Sequence, residues 1–242
     1  MEEIEYLTPI SDIQYICAKL GLDFDCITNV YNFGSYLHGT QTNNSDYDIL
    51  IVGDMKEGNL KFKSMKDPYF YEFKRGKVKL GEEKEYEVIF HSNKNFEKLL
   101  KINYIMFIEP LFSEKKFRTI CKIDYKQIYM EKYFSASKIK KSLERELEYS
   151  TGNYIKFKTK KLNPEMGGKW VIKKMYNALR YHKSFLDFLL HHDFSDFGSL
   201  GERKREFLER FEKEGDEYVD EMYDQVMIEI RNYLNQIHEI DD

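Results

Sequence analysis

Two periodicities divide this chain and predict an α/β (α+β) fold, a small mixed sheet followed by an α-helical domain. Between about residues 27 and 92, short apolar, β-branched runs recur at strand length. From about 135 onward apolar residues return at helical spacing instead. The boundary falls near 130, giving domains 1–130 and 131–242.

In chain order, residues 7–20 form an amphipathic helix that Thr8-Pro9 or Ser11 can cap. Strands are expected at about 27–33, 47–52, 70–75 and 83–90, with turns at Asp67-Pro68 and Arg75-Gly76. Residues 93–101 and 104–112 read as helices, the second shortened by Pro110. Helices follow at 135–150, 167–192 and 202–238, and Asn163-Pro164-Glu165-Met166-Gly167-Gly168 is a loop. Phe207, Phe211, Tyr218, Met222, Val226, Ile230, Tyr233 and Ile237 make a stripe that Gly215 interrupts. Packing on the helical domain suits it better than a dimer seam, and oligomeric state stays open. His191-His192-Asp193 reads as a helix-end feature, since no third metal ligand accompanies it.

Composition narrows the function classes. The 242 residues can bury a substantial core, and 19 Tyr and 18 Phe against 4 Pro describe an ordered globular chain. Cys17, Cys26 and Cys121 lack metal-ligand spacing, and their odd number suits a reducing compartment. No apolar run has the length of a membrane span, and Met1-Glu2-Glu3-Ile4-Glu5 does not resemble a signal or transit peptide, so the expected location is cytoplasmic. A net charge of −4 excludes a globally basic nucleic-acid binder. The charge is unevenly spread: residues 156–183 hold nine Lys or Arg against the single acid Glu165, interleaved with Phe157, Trp170, Tyr176 and Tyr181. Such a stretch suits an RNA backbone with base stacking, a triphosphate clamp or a solvated helix face.

The chemistry concentrates in Gly34-Ser35-Tyr36-Leu37-His38-Gly39-Thr40, followed by Ser45-Asp46-Tyr47-Asp48-Ile49-Leu50-Ile51-Val52. Val30 to Phe33 reads as a strand, after which Gly34 lets the backbone turn sharply beside a ligand. Ser35 opens a short helical turn whose free N–H groups and hydroxyl can take a phosphate. Asn43, Asn44 and Ser45 return the chain to the next strand. Asp46 and Asp48 stand i, i+2 and project from one face, where they repel as anions unless a cation lies between them. Mg²⁺ commonly takes one or two carboxylates together with substrate phosphates. Glu85-Tyr86-Glu87-Val88-Ile89-Phe90 supplies a third acid: Glu87, placed before its apolar run as Asp48 is before Ile49, or else Glu85. Three carboxylates fit two-metal phosphoryl transfer.

Gly34-Ser35 with Asp46-x-Asp48 and a later acidic strand resembles the DNA polymerase β-like nucleotidyltransferase superfamily. Glu87-Val88-Ile89-Phe90-His91-Ser92, Phe96 to Leu100 and Phe107 to Ser113 narrow the resemblance to a branch that includes RNA-repair (RNA ligase-associated) nucleotidyltransferases. Lys173 to Arg180 is similar to a helix of that branch. The likeness spans about residues 30–190, and departs from the branch at Glu87 (usually Asp), Ile102-Asn103-Tyr104 (often Gly-Asn-Pro) and Asn177 (usually His). It implies transfer of an NMP from an NTP to an acceptor hydroxyl, with an RNA end as the acceptor. Two Mg²⁺ (or Mn²⁺) ions would sit on Asp46, Asp48 and Glu87. Gly34, Ser35, Lys173, Tyr176 and Arg180 would bind the nucleotide, ATP or another NTP. AMP transfer to a protein or small-molecule hydroxyl uses the same chemistry, and a non-catalytic, antitoxin-like partner protein is the alternative from another class.

Overall fold

A computed structural model describes residues 5–42, 45–54, 63–66, 72–82, 84–161, 167–194, 197–198 and 200–240. The Asn43-Asn44 link, the Asp67-Pro68 turn, positions 70–71 of the expected third strand and positions 163–166 of the loop lie outside the described residues. The chain forms two compact units, Met1–Phe134 and Ser135–Asp242.

The first unit is α+β. Helix α1 (Ile10–Leu20) begins after Pro9 and ends at Gly21, whose φ of 76° closes it in a left-handed cap. Strands β1 (Ile27–Asn32), β2 (Tyr47–Gly53), β3 (Lys63–Lys66), β4 (Glu72–Leu80), β5 (Lys84–His91) and β6 (Arg118–Cys121) make one sheet in the order β3-β4-β5-β2-β1-β6. The β2–β5 pair is parallel and the other pairs are antiparallel. The four-residue helix α2 (Gly34–Leu37) joins β1 to the run into β2. After β5 come α3 (Asn93–Lys101), α4 (Ile105–Ile108), a 3₁₀ turn at Glu109–Phe112, the short helix α5 (Tyr125–Ile128) and a π turn at Tyr129–Tyr133.

Strand alternation divides the core. Ile49, Ile51, Tyr86, Val88 and Phe90 face α1 and pack with Ile13, Ile16, Cys17 and Leu20. Tyr86 also donates its hydroxyl to the buried Asp12 carboxylate at 2.5 Å, which ties α1 to β5. Aromatic contacts hold the opposite side: Phe96 meets Tyr31, Phe107 and Tyr125 at centroid separations of 6.3, 6.1 and 4.9 Å. Because of this alternation, β2 and β5 can carry carboxylates on one face while the other face stays apolar.

Three expectations are corrected. Arg75-Gly76 is not a turn but the interior of β4, which runs on to Leu80; pairing with β5 from Lys74 to Leu80, joined by β3 up to Arg75, outweighs the flexibility of Gly76. The helix expected at 104–112 is α4 followed by the 3₁₀ turn, since Pro110 has no N–H to continue it. Strands β3 and β6 were not expected: both are four-residue edge strands, too short to show a period. Asn103 lies between α3 and α4 with φ 57°, a left-handed position that Asn tolerates, and its amide bonds the Tyr129 hydroxyl and the Tyr133 carbonyl.

The second unit is helical: α6 (Ala136–Lys158), α7 (Gly168–His191), α8 (Gly201–Glu214) and α9 (Tyr218–His238). Gly215, at φ 67°, separates α8 from α9. The stripe packs inside this unit, where Phe207, Tyr218, Met222, Val226 and Ile230 join Val171, Ile172, Met175 and Leu179. His192 caps α7 in a left-handed conformation.

Candidate active site

Asp48 leaves β2 directly beside Gly34. A Cβ on Gly34 would come within 2.0 Å of the Asp48 carboxylate, and the φ of 67° is itself a glycine conformation. The Phe33 N–H donates to the Asp48 carbonyl at 3.0 Å, and the Ser35 backbone N–H donates to its carboxylate. The Gly-Ser turn and the second Asp of the Asp-x-Asp pair are therefore one packed unit.

Glu87 completes the acidic edge. Its Cα pairs with that of Asp48 in the parallel β2–β5 ladder, so the two side chains leave neighbouring strands on the same face. Glu85 lies two residues back along β5, pairs with Lys77 at 2.8 Å and Lys79 at 3.6 Å, and stands opposite Lys79. The lysine contacts, led by the Lys77 hydrogen bond, hold the Glu85 carboxyl below its usual range.

Two cations from β4 lie among these acids. Arg75 forms an ion pair with Glu87. Lys77, opposite Glu87 in the β4–β5 ladder, reaches Asp46 at 3.4 Å, Glu85 at 2.8 Å and Glu87 at 4.0 Å. Neither residue stood out in the sequence, because Arg75-Gly76 read as a turn. Once β4 is a strand, the i, i+2 spacing of Arg75 and Lys77 marks them as one face.

The carboxylate of Asp48 is pushed up to about 7, first by burial and then by the charges of Glu87 and Asp46, with Arg75 and the Ser35 N–H acting against the rise. Among the described residues no three His, Cys, Asp or Glu side chains are already gathered as a ligand group. The donor set still fits a divalent ion. Three hard-oxygen carboxylates share one edge, one of them kept uneasy by the other two, and a dication between them would relieve that repulsion.

The remaining sequence candidates belong to the helical unit. Lys173 is exposed on α7, and Tyr176 is 2% exposed within the unit's core. Arg180 is buried, with its guanidinium 4.2 Å from the Tyr181 ring centroid. Several aromatics of the basic stretch and its flank are committed to packing. Tyr154 stacks on Tyr223 at 3.8 Å and bonds Asp220, and Lys174 lies over Trp170 and Tyr149. Lys158 pairs with Asp220 and Lys169 with Glu212.

No curated protein matches this chain significantly. Among solved structures, a nucleotidyltransferase-like protein from Exiguobacterium sibiricum is 10% identical, over 94% of this chain and 71% of that chain; its TM-score of 0.31 is too low to carry an argument from shared geometry. The family model of the nucleotidyltransferase domain matches residues 12–112, the stretch that holds Gly34, Ser35, Asp46, Asp48 and Glu87, and this match supports a transferase acting on a nucleoside triphosphate.

Proposed function

We propose that this chain transfers a nucleoside monophosphate from an NTP to an acceptor hydroxyl, releasing pyrophosphate, and that the acceptor is an RNA end. The observation that carries the reaction type is the in-register pairing of Asp48 with Glu87, with the Gly34 backbone set against Asp48. The acceptor oxygen bonds to the α-phosphorus, the bond from that phosphorus to the bridging oxygen breaks, and the hydroxyl proton passes toward Glu87. Asp46 and Asp48 would hold two divalent ions, Mg²⁺ or Mn²⁺, and Glu87 one of them. Bound there, the ions would neutralise phosphate charge and lower the pKa of the acceptor hydroxyl. The turn at Gly34 and Ser35 takes the β- and γ-phosphates on its N–H groups and hydroxyl.

In this reading the exposed Lys173 offers a cation to phosphate, and Arg180 and Tyr176, both buried in the helical unit, contribute by fixing the helix that carries it. The RNA acceptor rests on the branch resemblance and on the exposed lysines 156, 160, 161 and 173. With Tyr154 and Tyr176 packed inward, backbone contact supports it better than base stacking.

The test is to incubate the protein with each α-labelled NTP, Mg²⁺ or Mn²⁺ and cellular RNA, then with cellular protein. Label in RNA that disappears in Asp46→Ala and Asp48→Ala is the expected result. Label confined to protein would replace the RNA acceptor with a protein hydroxyl. One observation favours a second reading, a non-catalytic partner protein: the acids are already paired with Arg75 and Lys77. NTP binding that metal does not improve, with no label in either fraction, would select it.

A further inference from the structure

We infer that Arg75 and Lys77 are triphosphate-binding residues, held on the acidic edge until the nucleotide arrives. This rests on the nucleotidyl-transfer reading and adds the residues that meet the polyphosphate. The argument starts from charge and position. Arg75 and Lys77 project from one face of β4, and Lys77 stands directly opposite Glu87. Arg75 pairs with Glu87, and Lys77 divides its ammonium among Asp46, Glu85 and Glu87.

These contacts are not those of a buried structural ion pair. The side chains of Arg75 and Lys77 are 37% and 55% exposed, so each can turn to solvent, while Glu87, at 14%, needs another cation in place of Arg75. Of the carboxylates they hold, Glu87 and Asp46 are the ones a divalent ion would claim, while Glu85 stays with Lys77 at 2.8 Å. When those two acids turn to another cation, Arg75 is released and Lys77 is left with Glu85 alone, both at the edge that carries Asp48. A guanidinium and an ammonium there match phosphate oxygens, the first through a planar fork and the second as a point charge. The acids and the polyphosphate thus compete for the same two cations, and neutralising the acids strengthens the hold on phosphate.

The experiment measures binding without turnover. Affinities for ATP and for inorganic tripolyphosphate are determined calorimetrically in EDTA, for wild type, Glu87→Gln, Arg75→Gln and the double variant. Wild-type affinity for ATP is also measured with Mg²⁺. Removing the competing carboxylate in Glu87→Gln is expected to tighten both ligands by about tenfold, the scale of one charge-assisted contact. Adding Arg75→Gln should erase the gain, and Arg75→Lys in the same background should restore part of it. Lys77→Gln should weaken tripolyphosphate on its own, and thermal melts confirm that each variant is folded.

If Glu87→Gln tightens binding equally with and without Arg75, the effect is only the loss of a negative charge, and the inference fails. If wild type binds ATP with Mg²⁺ while Arg75→Gln and Lys77→Gln bind as wild type does, the inference fails and the nucleotidyl-transfer reading stands. If no form binds ATP or tripolyphosphate, with or without Mg²⁺, both fall together.

Discussion

The two units use charge in opposite ways. In the helical unit, opposite charges pair at the surface, between helices or along one: Arg203 with Glu229, Arg210 with both Glu214 and Glu221, and Lys158 with Asp220. In the sheet unit, like charges are brought together on neighbouring strands, and one of them is partly buried. Surface pairs of the first kind contribute little to stability. Crowding of the second kind costs stability unless a cation offsets it. The contrast also shows why charge counts mislead here. The most basic stretch of sequence lies in the unit where several of its aromatics and three of its lysines are engaged in packing or pairing, while the acidic edge lies in a strand pair with no unusual composition.

The sharpest way to break this comparison is to remove one acid. Asp48→Asn should lower nucleotidyl transfer on the order of 10²–10³-fold, the scale of losing one preorganised charged group, in a labelled-NTP assay. Its urea midpoint in EDTA at pH 8 should not fall, because the lost charge was a repulsive one. Next comes the opposite case in the helical unit. Met222→Ala, fully buried, should cost about 2–5 kcal/mol by urea denaturation and leave the intrinsic NTP affinity of the folded protein unchanged.

A third prediction uses pH. Asp48 is raised from 3.8 to about 7 in the folded chain, so between those values the folded state keeps a proton that the unfolded state has lost. Its contribution to stability therefore declines as pH rises from about 4 to 7. His91 and His182 act in the other sense. Burial lowers each from 6.5 to about 4, so the stability of the neutral ring is present above 6.5 and is lost as pH falls toward 4. Melting curves in EDTA should show Asp48→Asn removing the decline toward neutral pH while the acid limb remains. In wild type, Mg²⁺ should raise the melting temperature more at pH 8 than at pH 5. The smallest effect is expected at the surface: Arg210→Ala should leave the melting temperature nearly unchanged in the same melts, despite its two carboxylate partners.

Much of this contrast was legible in the sequence, for identifiable reasons. Asp46 and Asp48 stood out because their i, i+2 spacing leads into a β-branched run, and Glu87 or Glu85 because the same kind of run follows; that Glu87 lies beside Asp48 depends on the β2–β5 register, which no local pattern encodes. The helical spans 135–150, 167–192 and 202–238 and the break at Gly215 followed from period 3.6 and one flexible residue, although α6 runs on to Lys158. Arg75 and Lys77 stayed hidden because a glycine between them imitates a turn, and only pairing with β5, joined by β3 up to Arg75, makes that segment a strand. The interior use of Tyr154 was equally out of reach. Its partner Tyr223 lies 69 positions further along the chain, and no local pattern encodes that meeting. How the aromatics of α7 divide between core and surface likewise depends on which helices they meet.

The absence of a side chain at Gly34 has one further consequence. The turn and the Asp48 carboxylate lie so near each other that only the missing Cβ leaves room for both. A single methyl group at this position would act as a wedge between the two. In the proposed reaction, a metal on the carboxylate and a phosphate in the turn would meet across this one contact.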